Sequence, residues 1–283
     1  MDQHQINLGL KQEVRRQMLY EKTNYTADIS YLTNVFITEY DISKCNINVL
    51  YKYKAIDEQT YQYLYQAERM VRQVYVGKLQ RESKEIVQIL KDGIVESKKM
   101  LFEANNLQDR DVLSIKNDAV FVINRQLQNR KFGLIEFMPK GLYTSFFRLR
   151  NLELYYYYNN VNKNEYLEVK GISDDKLALH EQYFVQLLKD IFYSIQINGP
   201  EITLRMLKDA YIEYISLQLP VDYYRKFDAD STFHLKYRSI INTGFAYENI
   251  TPELLQDVDI TYNASLLMEL QKIIISIYFN KHK

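Results

Sequence analysis

Tryptophan is absent from this chain of 283 residues, and cysteine occurs once, as Cys45. No intramolecular disulfide can form, so a reducing compartment is the expected setting. Only four prolines and eight glycines are present, which excludes long flexible linkers. The most apolar run, residues 273–279, is far too short to span a bilayer. The first residues, Met1 to Leu8, are polar and carry no signal-peptide pattern. An excess of one charge is missing as well: 36 Lys and Arg balance 36 Asp and Glu. Nucleic-acid binders are more often basic, so such a role would require the basic residues to gather on one face. The four histidines, His4, His180, His234 and His282, are scattered without zinc spacing. Neither a Gly-rich phosphate loop nor a dinucleotide fingerprint is present. The expectation is a soluble protein of the cytoplasm, with no membrane partner.

The length suffices for one large or two small domains with a proper core. Tyrosine is abundant, at 26 residues, alongside many Lys, Asn and Ile. That bias fits an AT-rich genome, and so a bacteriophage or mobile element, in which case the host cytoplasm is the setting. No internal repeat is evident. Residues 10 to 22 read as a polar helix. Val35 to Tyr40 is β-branched and aromatic, and reads as a buried strand. Ile47 to Tyr53 starts a helix or a loop. Asp57 to Val76 has helical spacing, with Tyr61, Leu64, Tyr65, Met70 and Val74 on one side. Ser83 to Asn105 is a second helix, striped by Ile86, Val87, Leu90, Ile94, Val95 and Leu101. Val112 to Ile123 is a hairpin turning at Asn117-Asp118, followed by strands at Phe132 to Phe137, Gly141 to Leu149, Leu152 to Tyr158 and Tyr166 to Lys170. After Gly171 the pattern is helical: Asp174 to Ile197, Glu201 to Gln218, a start at Thr251-Pro252, and Asn263 to Phe279. The fold class is α+β, an antiparallel sheet with inserted helices and a helical C-terminal lobe.

Two acidic residues stand out within this order. Asp41 closes the extended run Val35-Phe-Ile-Thr-Glu-Tyr-Asp41, and Asp118 occupies the hairpin turn. Phosphoryl transfer from a nucleoside triphosphate depends more on divalent cations than on a protein base. Magnesium favours hard carboxylate oxygens, and two aspartates converging from rigid backbone form a sufficient core for a pair of ions. Either residue alone is most simply turn chemistry. The tyrosines of Tyr155-Tyr-Tyr-Tyr158 suit base stacking, but packing on alternate strand faces is the simpler reading. The lone Cys45 reads as a small packing residue. Arg69, Arg72, Lys78, Arg81 and Lys84 fit either a solvated helix face or a phosphate-binding set.

Taken together, the segments resemble the palm, fingers and thumb core of DNA polymerases. Asp41-Ile-Ser-Lys-Cys-Asn46 is similar to the first palm motif of family A and family B enzymes. Lys116-Asn-Asp118 is similar to the family B hairpin motif, with Lys116 in place of its first aspartate. Tyr75-Val-Gly77 and Asp92-Gly93 resemble fingers elements. Lys140-Gly-Leu-Tyr143 and Lys170-Gly-Ile172 resemble the elements that follow the hairpin and lead into the thumb. The resemblance spans about residues 35 to 220. It implies residues 1–56 as an N-terminal segment with the first palm strand, 57–106 as fingers, 107–172 as the rest of the palm and 173–283 as a thumb. With only the residues before Val35 ahead of the first strand, no proofreading exonuclease domain is expected.

The resemblance implies a template-dependent nucleotidyltransferase. Asp41 and Asp118 would be catalytic and would hold Mg2+ (or Mn2+). Arg69, Arg72 and Lys78 would grip the triphosphate, and Asn46 would select the sugar. Lys140, Tyr143 and Lys170 would contact primer-template nucleic acid, the partner alongside nucleoside triphosphates. A second reading is a polymerase-derived binding protein without catalysis, favoured by Lys116 and the zero net charge. A third is an α+β protein-interaction module. The enzyme reading requires the carboxylates of Asp41 and Asp118 to lie within about 5 Å of each other, close enough to share metals.

Overall fold

The computed structural model describes residues 18–228 and 258–281. The architecture is α+β, with an eight-stranded antiparallel sheet. In chain order the elements are β1 (Asn24–Thr26), β2 (Tyr31–Ile42), α1 (Cys45–Lys52), α2 (Glu58–Gln66), α3 (Arg69–Glu82) and α4 (Lys84–Asn105). Then come β3 (Val112–Lys116), β4 (Ala119–Ile123), β5 (Lys131–Phe132), β6 (Ile135–Leu149), β7 (Leu152–Asn159) and β8 (Asn164–Lys170). The described helices that follow are α5 (Asp174–Leu177), α6 (Gln186–Ile197), α7 (Pro200–Ile215) and α8 (Ile260–Lys281). The strand order is β1-β3-β4-β2-β6-β7-β8, with β5 paired to β6. No described helix is long and apolar enough to cross a membrane.

The chain divides into two compact units. The first comprises residues 1–27 and 38–141, the second residues 28–37 and 142–283, so β2 and β6 each contribute to both. The core of the first unit gathers Tyr40 and Ile42 of β2, Val49 and Leu50 of α1, Leu64 of α2, Leu90 and Leu101 of α4, and Ile115 and Val120 of the hairpin. Both hairpin strands are buried on both faces over most of their length, which is why their sequences are almost continuously apolar. Helix α4 packs closely on α1 at Gly93: a Cβ added there would fall well inside contact distance of Val49 Cγ1. The core of the second unit joins Phe147, Leu154 and Tyr156 to Phe184, Leu188, Ile191 and Phe192, then to Leu207 and Leu270.

Several expectations need correction. The stretch from Asp57 to Val76 is two helices, because Ala67 and Glu68 are extended. Neither Gly nor Pro marks that break. Instead, Lys44 Nζ donates to the Tyr65 carbonyl at 2.7 Å and Arg72 Nη1 to the Ala67 carbonyl at 2.6 Å, satisfying acceptors that continuing the helix would otherwise have used. The supposed apolar stripe is therefore split: Tyr61 and Leu64 are buried, while Tyr65, Met70 and Val74 are exposed. Strand β2 is buried only in its second half, and Phe36 is exposed. Phe132 to Phe137 is interrupted by a turn at Gly133, where φ is +63°. The expected helix over 174–197 starts irregularly: 3-10 and π turns occupy 178–185, before α6. That irregularity buries His180, Phe184 and Val185 together. Tyr155 and Tyr156 do not alternate between core and solvent. Both are fully buried, Tyr155 against Tyr143 and Phe146, and Tyr156 stacked on Phe192 at 4.9 Å. Residues 19–21 form a 3-10 turn, while positions 10–17 and the Thr251-Pro252 start lie outside the described residues.

Candidate functional site

Within the first unit, a pocket of about 320 Å³ opens where β2 ends and the hairpin turns. Asp41 reaches it from the last residues of β2. The following Ser43 and Lys44 form a tight turn: Lys44 has φ +48°, the Ser43 amide donates to the Glu136 carbonyl at 2.9 Å, and Asn48 Nδ2 donates to the Ser43 carbonyl at 2.8 Å. Asp118 arrives from the two-residue turn between β3 and β4. Register pairs Lys116 with Ala119, so Asn117 and Asp118 are the turn, with Asn117 at φ +55°. Asparagine tolerates that left-handed geometry better than most residues.

Asp41 and Asp118 both line the pocket, and each carboxyl lies within electrostatic reach of the other. Burial pushes the Asp41 carboxyl up to about 6, and the neighbouring Asp118 pushes the same way; Lys140 opposes them. Two carboxylates this close cannot both ionise easily without a proton or a cation between them. Lys140 Nζ lies 3.3 Å from Glu39 Oε1 and 3.8 Å from Asp41 Oδ2. Glu39 is itself buried, one strand period before Asp41 on the same face. The Cys45 thiol also lines the pocket and is held well above its usual range by burial first and by the nearby Asp118 carboxylate next.

The pocket rim is basic. Lys44, Arg69, Arg72 and Lys140 all line it, together with Asn46, Gln73 and Val76. Lys44 also lies over the Tyr65 ring, 3.3 Å from its centroid. Burial, then the nearby Arg72, lowers the Lys44 ammonium from its ordinary value. The positions expected from sequence separate into two sets. Asp41, Asp118, Asn46, Arg69, Arg72 and Lys140 line this one pocket. Lys78 does not: it is exposed on α3 and paired with Glu82 at 3.9 Å, one helical turn on. Tyr143 belongs to the second unit, is fully enclosed, and gives its hydroxyl to Glu168, so it has no surface to offer a nucleic acid. Lys170 pairs with the same Glu168. Lys116 is turned to β1, donating to Asn24 Oδ1 at 2.8 Å.

Sequence reasoning missed Glu39, Lys44 and the influence of Asp118 on Cys45. Glu39 had a signal, since it shares a strand face with Asp41. Lys44 stood inside the motif run but was not singled out. The donor set suits a hard divalent cation through two carboxylates, with neutral or basic groups around them. Among the described residues, no group of three or more His, Cys, Asp or Glu is arranged to hold a metal ion. A family model described as "Bacteriophage PBS1 gene 130 protein" matches residues 15–276. No curated protein matches the sequence.

Proposed function

The chain belongs to the bacteriophage PBS1 gene 130 protein family, and we propose that it is a nucleotidyltransferase acting on nucleoside triphosphates and a primer-template nucleic acid. The observation that carries this reading is the convergence of Asp41 and Asp118, delivered by a strand end and a hairpin turn, on one pocket rimmed by Lys44, Arg69, Arg72 and Lys140. Asp41 and Asp118 would hold Mg2+ (or Mn2+), which when bound supplies Lewis-acid activation of the attacking hydroxyl and charge stabilisation at the leaving oxygen. Asp41 and Asp118 contribute rigid, preorganised carboxylates, so little reorganisation is needed at the moment of reaction. Arg69, on the first turn of α3, is the rim cation best placed to bind phosphate oxygens. Arg72 and Lys44 tie down the end of α2 as well, so they shape the rim while adding to its positive potential. Asn46 stands at the mouth, at the position the resemblance assigns to sugar selection.

A specific observation favours the reading without catalysis. Lys140 already offers the Asp41 carboxylate a protein cation, 3.8 Å away, and an internal countercharge is what a retired metal site would keep. The two readings part on one experiment. Primer extension with a labelled primer-template, Mg2+ or Mn2+ and dNTPs or NTPs should give product that Asp41→Ala and Asp118→Ala each abolish. Folded wild-type protein that binds the primer-template but never extends it would transfer the argument to a binding role.

A further inference from the structure

Lys98, on α4, is fully buried and has no carboxylate ion pair among the described residues. Its ammonium donates to two backbone carbonyls, those of Lys22 and of Asn117, the latter at 3.1 Å. Asn117 is half of the turn that presents Asp118, and its own amide donates to the Thr23 carbonyl at 2.7 Å. The turn is therefore held from inside at its carbonyl and from the side at its amide. Asp118 and the Cys45 thiol are the charged or titratable neighbours that act on Lys98, while burial lowers its ammonium to about 8. Enclosing an ammonium without a salt bridge is costly, and an apolar side chain of the same volume would pack this position at lower cost. A buried residue that carries that cost calls for a reason beyond packing.

We propose that Lys98 is a positioning residue for the Asp41–Asp118 pair: by gripping the Asn117 carbonyl from within the core, it fixes the turn, and with it the orientation of the Asp118 carboxylate. This rests on the nucleotidyltransferase reading for its purpose, though not for its geometry. The sign of the effect separates positioning from simple electrostatics. A positive charge behind the pair repels an incoming cation. If Lys98 acted only as a charge, removing it would strengthen metal binding. If it sets the carboxylate geometry, removing it weakens binding, as loss of an outer-shell support commonly does by about 10–100-fold.

The test uses the full chain carrying Lys98→Met, which keeps most of the length and removes the donor, with Lys98→Leu, which also removes it, as the alternative should the first not fold. Mn2+ affinity is read by water-proton relaxation, and amide hydrogen exchange over residues 115–120 is followed in the absence of metal. The expected result is Mn2+ binding weakened by about tenfold or more, with faster exchange confined to the turn. Unchanged or tighter Mn2+ binding in a folded variant overturns the proposal. Should wild-type protein take up no Mn2+, the nucleotidyltransferase reading falls separately. The exchange data then decide for Lys98: faster exchange confined to the turn sustains its grip on Asn117, and unchanged protection removes it.

Discussion

At the scale of single residues, the site depends on side chains whose environments are set by neighbours distant in sequence. The Asp41 carboxyl, raised from 3.8 to about 6, gives a directional pH dependence. Below about 4, the group is protonated in the folded and the unfolded chain alike and contributes no difference. As pH rises from there to about 6, the folded state keeps a proton that the unfolded chain has released, so stability falls; above that range the penalty is constant. In metal-free buffer, the melting temperature of the wild type should therefore decline across this window relative to Asp41→Asn, and a parallel pair of curves would show that the Asp41 carboxyl is not raised in the folded state. Gly93 offers a second test. A Cβ there meets Val49, with Tyr53 Cε2 at 3.1 Å, so Gly93→Ala should lose about 1–3 kcal/mol in urea unfolding. Val49→Ala in the same chain should recover part of that loss, because it removes the methyl groups in the way. Asp41 and Asp118 were legible in sequence because each ends an apolar run at a polar switch. Lys98 was not, since a lysine on a helix is ordinarily solvent-facing and only the packed structure puts it in the core.

At the scale of elements, the hairpin and the helix ends show what local sequence can and cannot specify. The β3–β4 hairpin is written in its residues: two nearly continuous apolar arms around Asn117-Asp118. Substituting Asn117 by Val puts a β-branched residue at φ +55°, which should cost about 1–2 kcal/mol. Asn117→Gly should be near neutral in stability by comparison. Thermal or urea unfolding of the two variants checks the contrast, and equal losses would mean that the turn adopts another geometry. The break between α2 and α3 was illegible. Its causes are Lys44 and Arg72, whose cations reach the terminal carbonyls of α2 from outside that helix. The sequence 155–158 misled for a related reason: alternation presumes one solvent face, and the second unit covers both faces of β7 there, with Tyr143 and Phe146 on one tyrosine and Phe192 on the other.

At the scale of the whole molecule, zero net charge conceals a local surplus, since four basic side chains rim one pocket. A triphosphate should feel that rim and not the average. Arg69→Ala is expected to weaken nucleoside triphosphate binding by about tenfold, in line with roughly 1.4 kcal/mol for a charge-assisted contact. Lys78→Ala should leave it unchanged, because Lys78 lies outside the pocket lining and is paired to Glu82. Fluorescence titration with a labelled nucleotide, at two ionic strengths, reads both; equal effects would place the bound phosphate elsewhere. The α+β class and the order of strands and helices could be read from hydrophobic periodicity. The division of the chain into units could not, because it runs through the middle of two strands.

That division bears on how the protein is made. Residues 28–37 belong to the second unit, yet they leave the ribosome ahead of residues 38–141, which complete the first. One backbone partner of this segment, the Arg148 amide that donates to the Ser30 carbonyl at 2.9 Å, is synthesised only later. Synthesis proceeds at about 5–20 residues per second, so the wait lasts seconds. Throughout that interval a strand-forming segment that includes Phe36 waits for residues 142 onward, the rest of its own unit. Translation speed over residues 38–141 thus becomes a variable of yield: the longer the pause, the longer an open strand edge is available to another nascent copy of itself.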